Sequence, residues 1–301
     1  MKGSPTAEPC PLCAGAVHHA FAIGDRNRRI GHDIFDYARC EECGSLLLSN
    51  APEDLSPYYP SDYVPWRTTE SLRASAATDG YRLDFLTRHG IGPGSRVLEF
   101  GPGDGTFACM AHDAGCDVTV IERTQDACER LHEITSATAI ASDDPATTVS
   151  GLGTFDAIVG WHVIEHLPRP DVVIRASAAS LNEGGILVLA TPNPRSLSFK
   201  VMGARWPHVD APRHLSILDP DAVAGCAGAQ MTVVELTDLD PGSRHWDNFA
   251  WHYLMRRPGS PPLIDAGFQT IGTCLGRALS PLTTRGLRGA AYTIVLRKQA
   301  V

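Results

Sequence analysis

Residues 96–107 constrain this chain more than any other stretch. They read Arg-Val-Leu-Glu-Phe-Gly-Pro-Gly-Asp-Gly-Thr-Phe: an apolar run ending in an acid, then a turn with glycine at alternate positions. The run predicts a short buried strand, and the residues after Gly105 predict a helix. Glycine lets the backbone adopt positive φ angles and approach a ligand closely. This order of strand, glycine turn and helix is typical of the nucleotide-binding corner of a doubly wound α/β sheet.

A second predicted strand, residues 118–121, ends in Glu122, whose carboxylate is placed to bind two ribose hydroxyls. The glycine spacing is E-x-G-x-G-x-G and not G-x-G-x-x-G, which argues against a dehydrogenase. Together these motifs resemble the class I S-adenosylmethionine-dependent methyltransferases. The resemblance implies an α/β fold with a doubly wound, seven-stranded Rossmann-like sheet, whose last strand at residues 291–297 is antiparallel.

The same resemblance implies which residues hold S-adenosylmethionine. Glu99 and the glycine loop would hold the methionine part, Glu122 the ribose and Asp143 the adenine. Asp143 is preferred over Asp144 in the acidic run after a predicted strand at residues 138–141. The end of a fourth predicted strand, residues 155–162, would face the sulfur. The complete predicted cofactor-binding set is Glu99, Phe100, Gly101, Pro102, Gly103, Gly105, Glu122, Arg123, Asp143, Trp161 and His162.

Four of the nine cysteines form two Cys-x-x-Cys pairs, Cys10 with Cys13 and Cys40 with Cys43. Two such pairs bring four thiolates to one point, and soft tetrahedral ligands select zinc. The residues between the pairs alternate as strands do, so the pattern predicts a zinc ribbon. Four thiolates leave no open coordination position, so we expect structural zinc. The remaining cysteines are expected to be reduced thiols.

We predict three parts of the chain: a zinc-ribbon module at residues 1–55, an aromatic linker and helix at 56–90, and a methyltransferase domain at 91–301. The tyrosines of the linker either pack the ribbon onto the domain or cover the cofactor and acceptor. Insertions at about 192–218 and 240–290 are expected to cover the acceptor. The second insertion could instead be a dimer face or, less favoured, a membrane contact, and a homodimer is left open.

His162, Glu165 and His166 form a second motif, because spacings of three and four residues bring side chains together on a helix or turn. The group could bind a divalent cation, act as a general base, or orient the loop. Similar quinone O-methyltransferases have an E-x-x-E-H run that holds a metal. In this chain His162 stands where that run has its first acid, so all three interpretations stay open.

Residues 205–215 read Arg-Trp-Pro-His-Val-Asp-Ala-Pro-Arg-His-Leu. They resemble the W-x-x-x-D-x-P-R-H segment of a methyltransferase subgroup found in glycan and natural-product pathways, and are expected to form part of the acceptor pocket. His214 is the preferred general base because imidazole titrates near neutral pH. Asp210 or Arg213 could orient His214 or an acceptor group, or the two could form an internal ion pair that only shapes the loop.

Composition limits the classes of function. A net charge of -8 argues against a dedicated nucleic-acid binder. The absence of a signal-peptide pattern and of a long apolar run predicts a soluble, cytoplasmic protein. We therefore expect direct methyl transfer from S-adenosylmethionine to a small-molecule acceptor, such as a sugar or natural-product intermediate. The alternatives are a tRNA or protein methyltransferase that grips its substrate with the ribbon, and a non-catalytic cofactor-binding protein.

Overall fold

The computed structural model describes residues 8–60, 63–255 and 261–300. Residues 1–7 of the predicted ribbon, Ser61 and Asp62 of the linker, residues 256–260 of the second insertion and Val301 lie outside the described residues. Across the described ranges the chain is an α/β protein with one large and one small sheet.

The strands in the described part of the chain are β1 (Val17–Gly24), β2 (Ile34–Cys40), β3 (Leu46–Leu48), β4 (Arg96–Phe100), β5 (Asp117–Glu122), β6 (Thr138–Ala141), β7 (Phe155–Trp161), β8 (Leu181–Pro192), β9 (Ser216–Ile217), β10 (Met231–Thr237) and β11 (Ala291–Lys298). The α-helices are α1 (Thr69–Ala74), α2 (Ala76–Asp79), α3 (Tyr81–Thr87), α4 (Thr106–Asp113), α5 (Gln125–Thr135), α6 (Pro145–Gly151), α7 (Pro170–Ala179), α8 (Leu197–Met202), α9 (Pro220–Ala227), α10 (Pro241–Met255) and α11 (Pro262–Thr283). Short 3-10 helices lie at Ser56–Tyr58, Ile164–His166, Gly203–Arg205 and Pro207–Val209.

The large sheet of the described residues has seven strands in the order β10-β11-β8-β7-β4-β5-β6. From β8 to β6 the neighbours are parallel, whereas β11 is antiparallel to both β8 and β10. The predicted doubly wound Rossmann-like sheet with an antiparallel last strand is therefore confirmed. From β4 the chain adds β5 and β6 on one side of this strand and then places β7 on its other side. The crevice between β4 and β7 is therefore the topological switch point, where sheets of this kind bind ligands.

Alternate residues of the central strands face two separate core clusters. In β4, Leu98 and Phe100 join one cluster and Val97 joins the other. This follows from the period of two in a strand. By the same alternation, Glu99 lies on the face of Val97, which α3 and α4 cover through Phe85 and Phe107. A carboxylate is thereby buried at the end of the central strand.

The small sheet has the order β1-β2-β3-β9. β1 to β3 come from the predicted ribbon, but β9 comes from the segment immediately after His214 and pairs antiparallel with β3. The predicted module therefore shares a sheet with the chain of the predicted acceptor insertion. Residues 240–290, the second predicted insertion, contain α10 and α11.

Some local predictions are wrong or incomplete. The single helix predicted after the aromatic linker, within residues 56–90, is divided into the short helices α1, α2 and α3. The sequence predicts a helix from Pro170 to Leu181 with Gly184 and Gly185 as its stop signal, but α7 ends at Ala179 and both glycines lie in β8. Gly184 has φ +76°, and Gly185 lies against backbone carbonyls that a Cβ would approach at 2.9 to 3.2 Å. The two glycines therefore accommodate an irregularity in a strand.

Helix α6 was not predicted, although its start has a clear signal. The side chain of Asp144 accepts a hydrogen bond from the backbone N–H of Thr147, and Pro145 is the first helical residue. Both residue types are preferred at those positions. Within the described ranges, the search for a helix long and apolar enough to cross a bilayer finds none.

Candidate active site

The glycine loop after β4 has the backbone that its sequence predicts. Gly101, Gly103 and Gly105 have φ angles of +62°, +59° and +85°, in the left-handed region that favours glycine. A Cβ at Gly101 would overlap Val163, whereas a Cβ at Gly103 would meet nothing within 4 Å. Gly101 is thus required by packing, and Gly103 borders open space at the switch point.

Glu99 is buried beneath this loop, with 1% of its surface exposed. Its Oε2 has no hydrogen-bond partner among the described residues. Burial raises the pKa of Glu99 to about 8, although the nearby Arg82 guanidinium opposes the shift. An unpartnered buried carboxylate oxygen is costly, so this atom fits a ligand that donates a hydrogen bond.

Glu122 and Asp143 lie beyond Glu99 along the same edge. Glu122 ends β5, and its Oε1 accepts a bond from the backbone N–H of Arg123 at 2.7 Å. The side chain of Asp144 is occupied in capping α6, while that of Asp143 is exposed. This geometry supports the preference for Asp143 over Asp144 as an adenine-binding acid, which stays a prediction.

Trp161 ends β7 on the other side of the glycine loop, and His162 directly follows it. The Trp161 ring lies among Tyr81, Phe85 and Phe107, and its buried Nε1 has no hydrogen-bond partner among the described residues. His162 has φ +54°, and its ring centroid lies 5.0 Å from that of Trp246 in α10. We use the name cofactor edge for Glu99, Gly101 to Gly105, Glu122, Asp143 and Trp161.

Beside the cofactor edge, Glu165, His166 and His214 each place one ligand atom within 4.8 Å of the others. We call these three residues the histidine pocket. The ring centroids of His166 and His214 are 4.7 Å apart. His162 approaches the same carboxylate, with its Nδ1 3.7 Å from Glu165 Oε1. The structure therefore brings together all four residues predicted to be catalytic, from two distant segments.

Hydrogen bonds orient every group of the histidine pocket. His214 Nδ1 lies 2.8 Å from the carbonyl oxygen of His208, and His166 Nδ1 lies 3.0 Å from that of Arg213. A carbonyl oxygen can only accept, so each bond places the proton on Nδ1 and leaves Nε2 as an acceptor. Glu165 Oε2 accepts a bond from the Thr191 hydroxyl at 3.0 Å.

Burial and neighbouring side chains together determine which groups of the histidine pocket are charged. It lowers the pKa of His166 to about 4, with a further contribution from His214, so this imidazole is neutral at physiological pH. Burial alone would raise the pKa of Glu165, but His162 and His214 outweigh it and hold the pKa at about 2. The pocket thus combines a carboxylate with imidazole nitrogens that can accept a proton or bind a cation.

Arg213 is not available to an acceptor. Its side chain is fully buried, and it forms an ion pair with Asp210 and a second one with Asp25. The interpretation of Arg213 and Asp210 as an internal ion pair is therefore the arrangement observed. The partner in the ribbon, Asp25, was not identified from the sequence.

The four predicted zinc ligands also converge. The sulfur atoms of Cys10, Cys13, Cys40 and Cys43 all lie within 4.8 Å of one another. The Cys10–Cys43 and Cys13–Cys40 pairs are 3.8 and 3.5 Å apart. Tetrahedral zinc with Zn–S bonds of about 2.3 Å separates its sulfurs by about 3.8 Å. The donor set therefore fits a structural zinc ion.

Two contributors to the site were missed. Tyr59 of the linker has its hydroxyl 2.9 Å from His166 Nδ1, and Thr191 lies at the end of β8. The aromatic content of the linker suggested a packing or covering role but did not identify this contact. The position of Thr191 at the carboxyl end of a parallel strand was an available signal.

The strand order, the glycine loop and the acids at the ends of β4 and β5 define the class I S-adenosylmethionine-dependent methyltransferase fold. Residues 72–230 match the family model described as a methyltransferase domain. Because this match covers more than half of the chain, the chain belongs to that family.

Named relatives agree with this assignment. The ubiquinone biosynthesis O-methyltransferase of Xanthomonas campestris pv. campestris is 33% identical over 150 residues, which cover 47% of this chain and 62% of that protein. The protein of the same name in Bordetella avium is 30% identical over 151 residues, with the same coverage. The match thus spans less than two thirds of these relatives. A candidate sarcosine dimethylglycine methyltransferase from Galdieria sulphuraria superposes with a TM-score of 0.51 at 14% identity, over 75% of this chain and 87% of that one.

Proposed function

We propose that this protein transfers a methyl group from S-adenosylmethionine to a small-molecule acceptor held against the histidine pocket. The observation that carries the proposal is the unpartnered, buried oxygen of Glu99 beneath the glycine loop. The ammonium group of a bound methionine moiety would satisfy that oxygen. Glu122, at the end of β5, would accept bonds from the ribose hydroxyls, and Asp143 from the adenine amino group.

When bound, S-adenosylmethionine supplies a methyl group activated by a sulfonium. The residues of the cofactor edge orient this group, and the histidine pocket orients the acceptor behind it. His214 Nε2 is the proposed general base, because the bond from Nδ1 to His208 leaves Nε2 free to accept the acceptor's proton. His166 and Glu165 hold His214 in place, while positioning and exclusion of water supply most of the acceleration.

Two observations support a small acceptor that carries a proton, such as a hydroxyl compound. The base candidates are buried, since His214 is only 9% exposed, and the relatives are O-methyltransferases of ubiquinone biosynthesis. A macromolecular acceptor or a non-catalytic binding role would not need this pocket. Structural zinc at the four cysteines, the three-part division of the chain and a cytoplasmic location belong to the same proposal.

Calorimetric titration of the full chain with S-adenosylhomocysteine tests the cofactor assignment. We expect micromolar binding that Glu122→Ala weakens about 100-fold, since each hydrogen bond to a charged group contributes about 1.5 kcal/mol or more. The control is Asp117→Ala, at the opposite end of β5, which should bind as the wild type does. Absence of binding by a folded, zinc-loaded protein would contradict the proposal and favour a different ligand.

The histidine pocket has a second candidate role as a divalent-cation site. Its three ligand atoms lie close together, and both imidazoles present an oriented Nε2. Two imidazoles and a carboxylate suit a first-row transition metal. In that role the cation would polarise the acceptor, and His214 would be a ligand in place of a base.

A further inference from the structure

The small sheet joins the zinc-binding module to the segment that carries His214. Leu215, the next residue, is hydrogen-bonded on both sides. Its carbonyl accepts from the backbone N–H of Leu48 in β3 at 2.8 Å, and its own N–H donates to the carbonyl of Glu165 at 2.8 Å. The backbone after His214 is therefore held between the module and the histidine pocket.

Arg213, on the other side of His214, joins the same two parts through charge. Its guanidinium donates to Asp25 at 2.7 and 3.0 Å and to Asp210 at 2.8 and 2.9 Å. Asp25 directly follows β1 and accepts two backbone N–H bonds, at 3.0 and 3.2 Å, from the loop that follows it. The orientation of Arg213 is strongly determined, because each carboxylate accepts two of its bonds and losing either would leave buried guanidinium donors without partners.

Tyr37 holds the backbone of His214 itself. It lies in β2, the strand that ends at the zinc ligand Cys40, and its side chain is fully buried. Its hydroxyl donates to the carbonyl of His214 at 2.6 Å. Because the backbone is held at this point, His214 Nδ1 meets the carbonyl of His208, and that bond sets the tautomer of His214.

We propose that Asp25 is a positioning residue of the acceptor site, acting on His214 through Arg213, and that the zinc-binding module is thereby part of the active site. This inference rests on the proposed role of His214 toward the acceptor. A module that only gripped a macromolecule would act through its outer surface, whereas Asp25 and Tyr37 point inward and end on the His214 turn.

The test is the tautomer of His214, read from the ring nitrogen shifts of the zinc-loaded, full-length protein labelled with ¹⁵N-histidine. Asp25→Asn preserves the shape of the side chain and removes its charge. Asp36→Asn is the matched control, a half-exposed aspartate on β2 whose side chain pairs with His19. We expect one tautomer, with the proton on Nδ1, in the wild type and Asp36→Asn, and a mixture in Asp25→Asn. Affinity for S-adenosylhomocysteine should be equal in all three proteins.

A second variant covers the case in which Asp25→Asn does not fold. Tyr37→Phe removes the hydroxyl that donates to the His214 carbonyl at 2.6 Å and to the Val209 carbonyl at 3.2 Å, both in the same turn, and should also give a mixture of tautomers. A single Nδ1-protonated His214 in every variant that folds would overturn the inference, and so would a mixture in the wild type. Failure of the wild type to bind S-adenosylhomocysteine would instead contradict the proposed function, because the tautomer measurement needs no cofactor.

Discussion

The cofactor edge and the histidine pocket lie at the same carboxyl edge of the large sheet, but their polar groups are paired differently. In the cofactor edge, Glu99 Oε2 and Trp161 Nε1 are buried without partners among the described residues. In the histidine pocket, by contrast, every side chain has a partner: His214 bonds to a backbone carbonyl and Glu165 to Thr191. The cofactor edge therefore has buried polar atoms that a ligand could pair with, whereas the side chains of the histidine pocket are already paired with other groups of the protein.

The two regions also differ in how the chain builds them. The cofactor edge consists of the carboxyl ends of β4, β5 and β7 and of the turns after β4 and β6. The histidine pocket is assembled from residues 165–166 and 214, and it is held by Tyr59, by Arg213 and by a module near the amino terminus. Local backbone geometry determines the first region, and long-range pairing determines the second. The four predictions below, in decreasing order of expected effect, test that difference.

Removal of zinc should affect the histidine pocket far more than the cofactor edge. Structural zinc contributes on the order of 10 kcal/mol to the folding of small zinc modules. Pairing of β3 with β9 holds the backbone whose Leu215 N–H donates to Glu165. We therefore expect a chelator, or Cys40→Ser with Cys43→Ser, to remove hydrogen-exchange protection from the amide of Leu215. Protection in β4 and β5 should persist. Equal loss in both regions would show that they are one cooperative unit.

Two glycines of the same loop should respond differently to alanine. Gly101→Ala should lower the free energy of unfolding by several kcal/mol, because its Cβ would overlap Val163. Gly103→Ala has the same type of backbone but open space, so it should cost only about 1 to 2 kcal/mol while weakening binding of S-adenosylhomocysteine. Urea unfolding and calorimetry separate the two effects. Equal destabilisation would mean that Gly103 borders packed protein and not a ligand space.

The binding of S-adenosylhomocysteine should depend on pH through Glu99. Its pKa of about 8 leaves the side chain protonated at lower pH, and binding to an ammonium group then requires loss of that proton. Affinity should therefore rise from pH 6 toward pH 8, by up to about tenfold per pH unit. Glu99→Gln should bind weakly and without this slope. A flat profile for the wild type would place the ammonium group elsewhere.

The last prediction concerns Co²⁺ binding to the histidine pocket, which tests whether the pocket is a cation site or provides a general base. If the pocket binds a metal, Co²⁺ added to the zinc-loaded protein should give visible absorption bands that His166→Ala and His214→Ala abolish. His162→Ala should weaken this binding by no more than about 10- to 100-fold, as expected for an outer residue. Absence of the bands in the wild type would leave general-base catalysis as the role of His214.

Sequence reasoning succeeded where a structural feature follows directly from a local motif. The glycine loop, Glu99 and Glu122 were located because a strand, a turn and a terminal acid are adjacent in the chain. The two Cys-x-x-Cys pairs were recognisable for the same reason. The role of Gly184 and Gly185 was predicted wrongly, because these glycines, a common signal for the end of a helix, serve an irregularity inside β8. Residue propensity could not distinguish a glycine that ends a helix from a glycine that accommodates an irregular strand.

The sequence by itself determined the class of fold, the grouping of four cysteines, and the acids and glycines at the ends of β4 and β5, because each depends on residue types at short, regular spacing. Only the tertiary structure decided that His214 meets Glu165 and His166, and that Asp25 reaches Arg213 across 188 positions of the chain. The physical reason is that pairing of β3 with β9 brings these residues together. Strand pairing over such a separation depends on how the whole chain packs, and no local pattern encodes it.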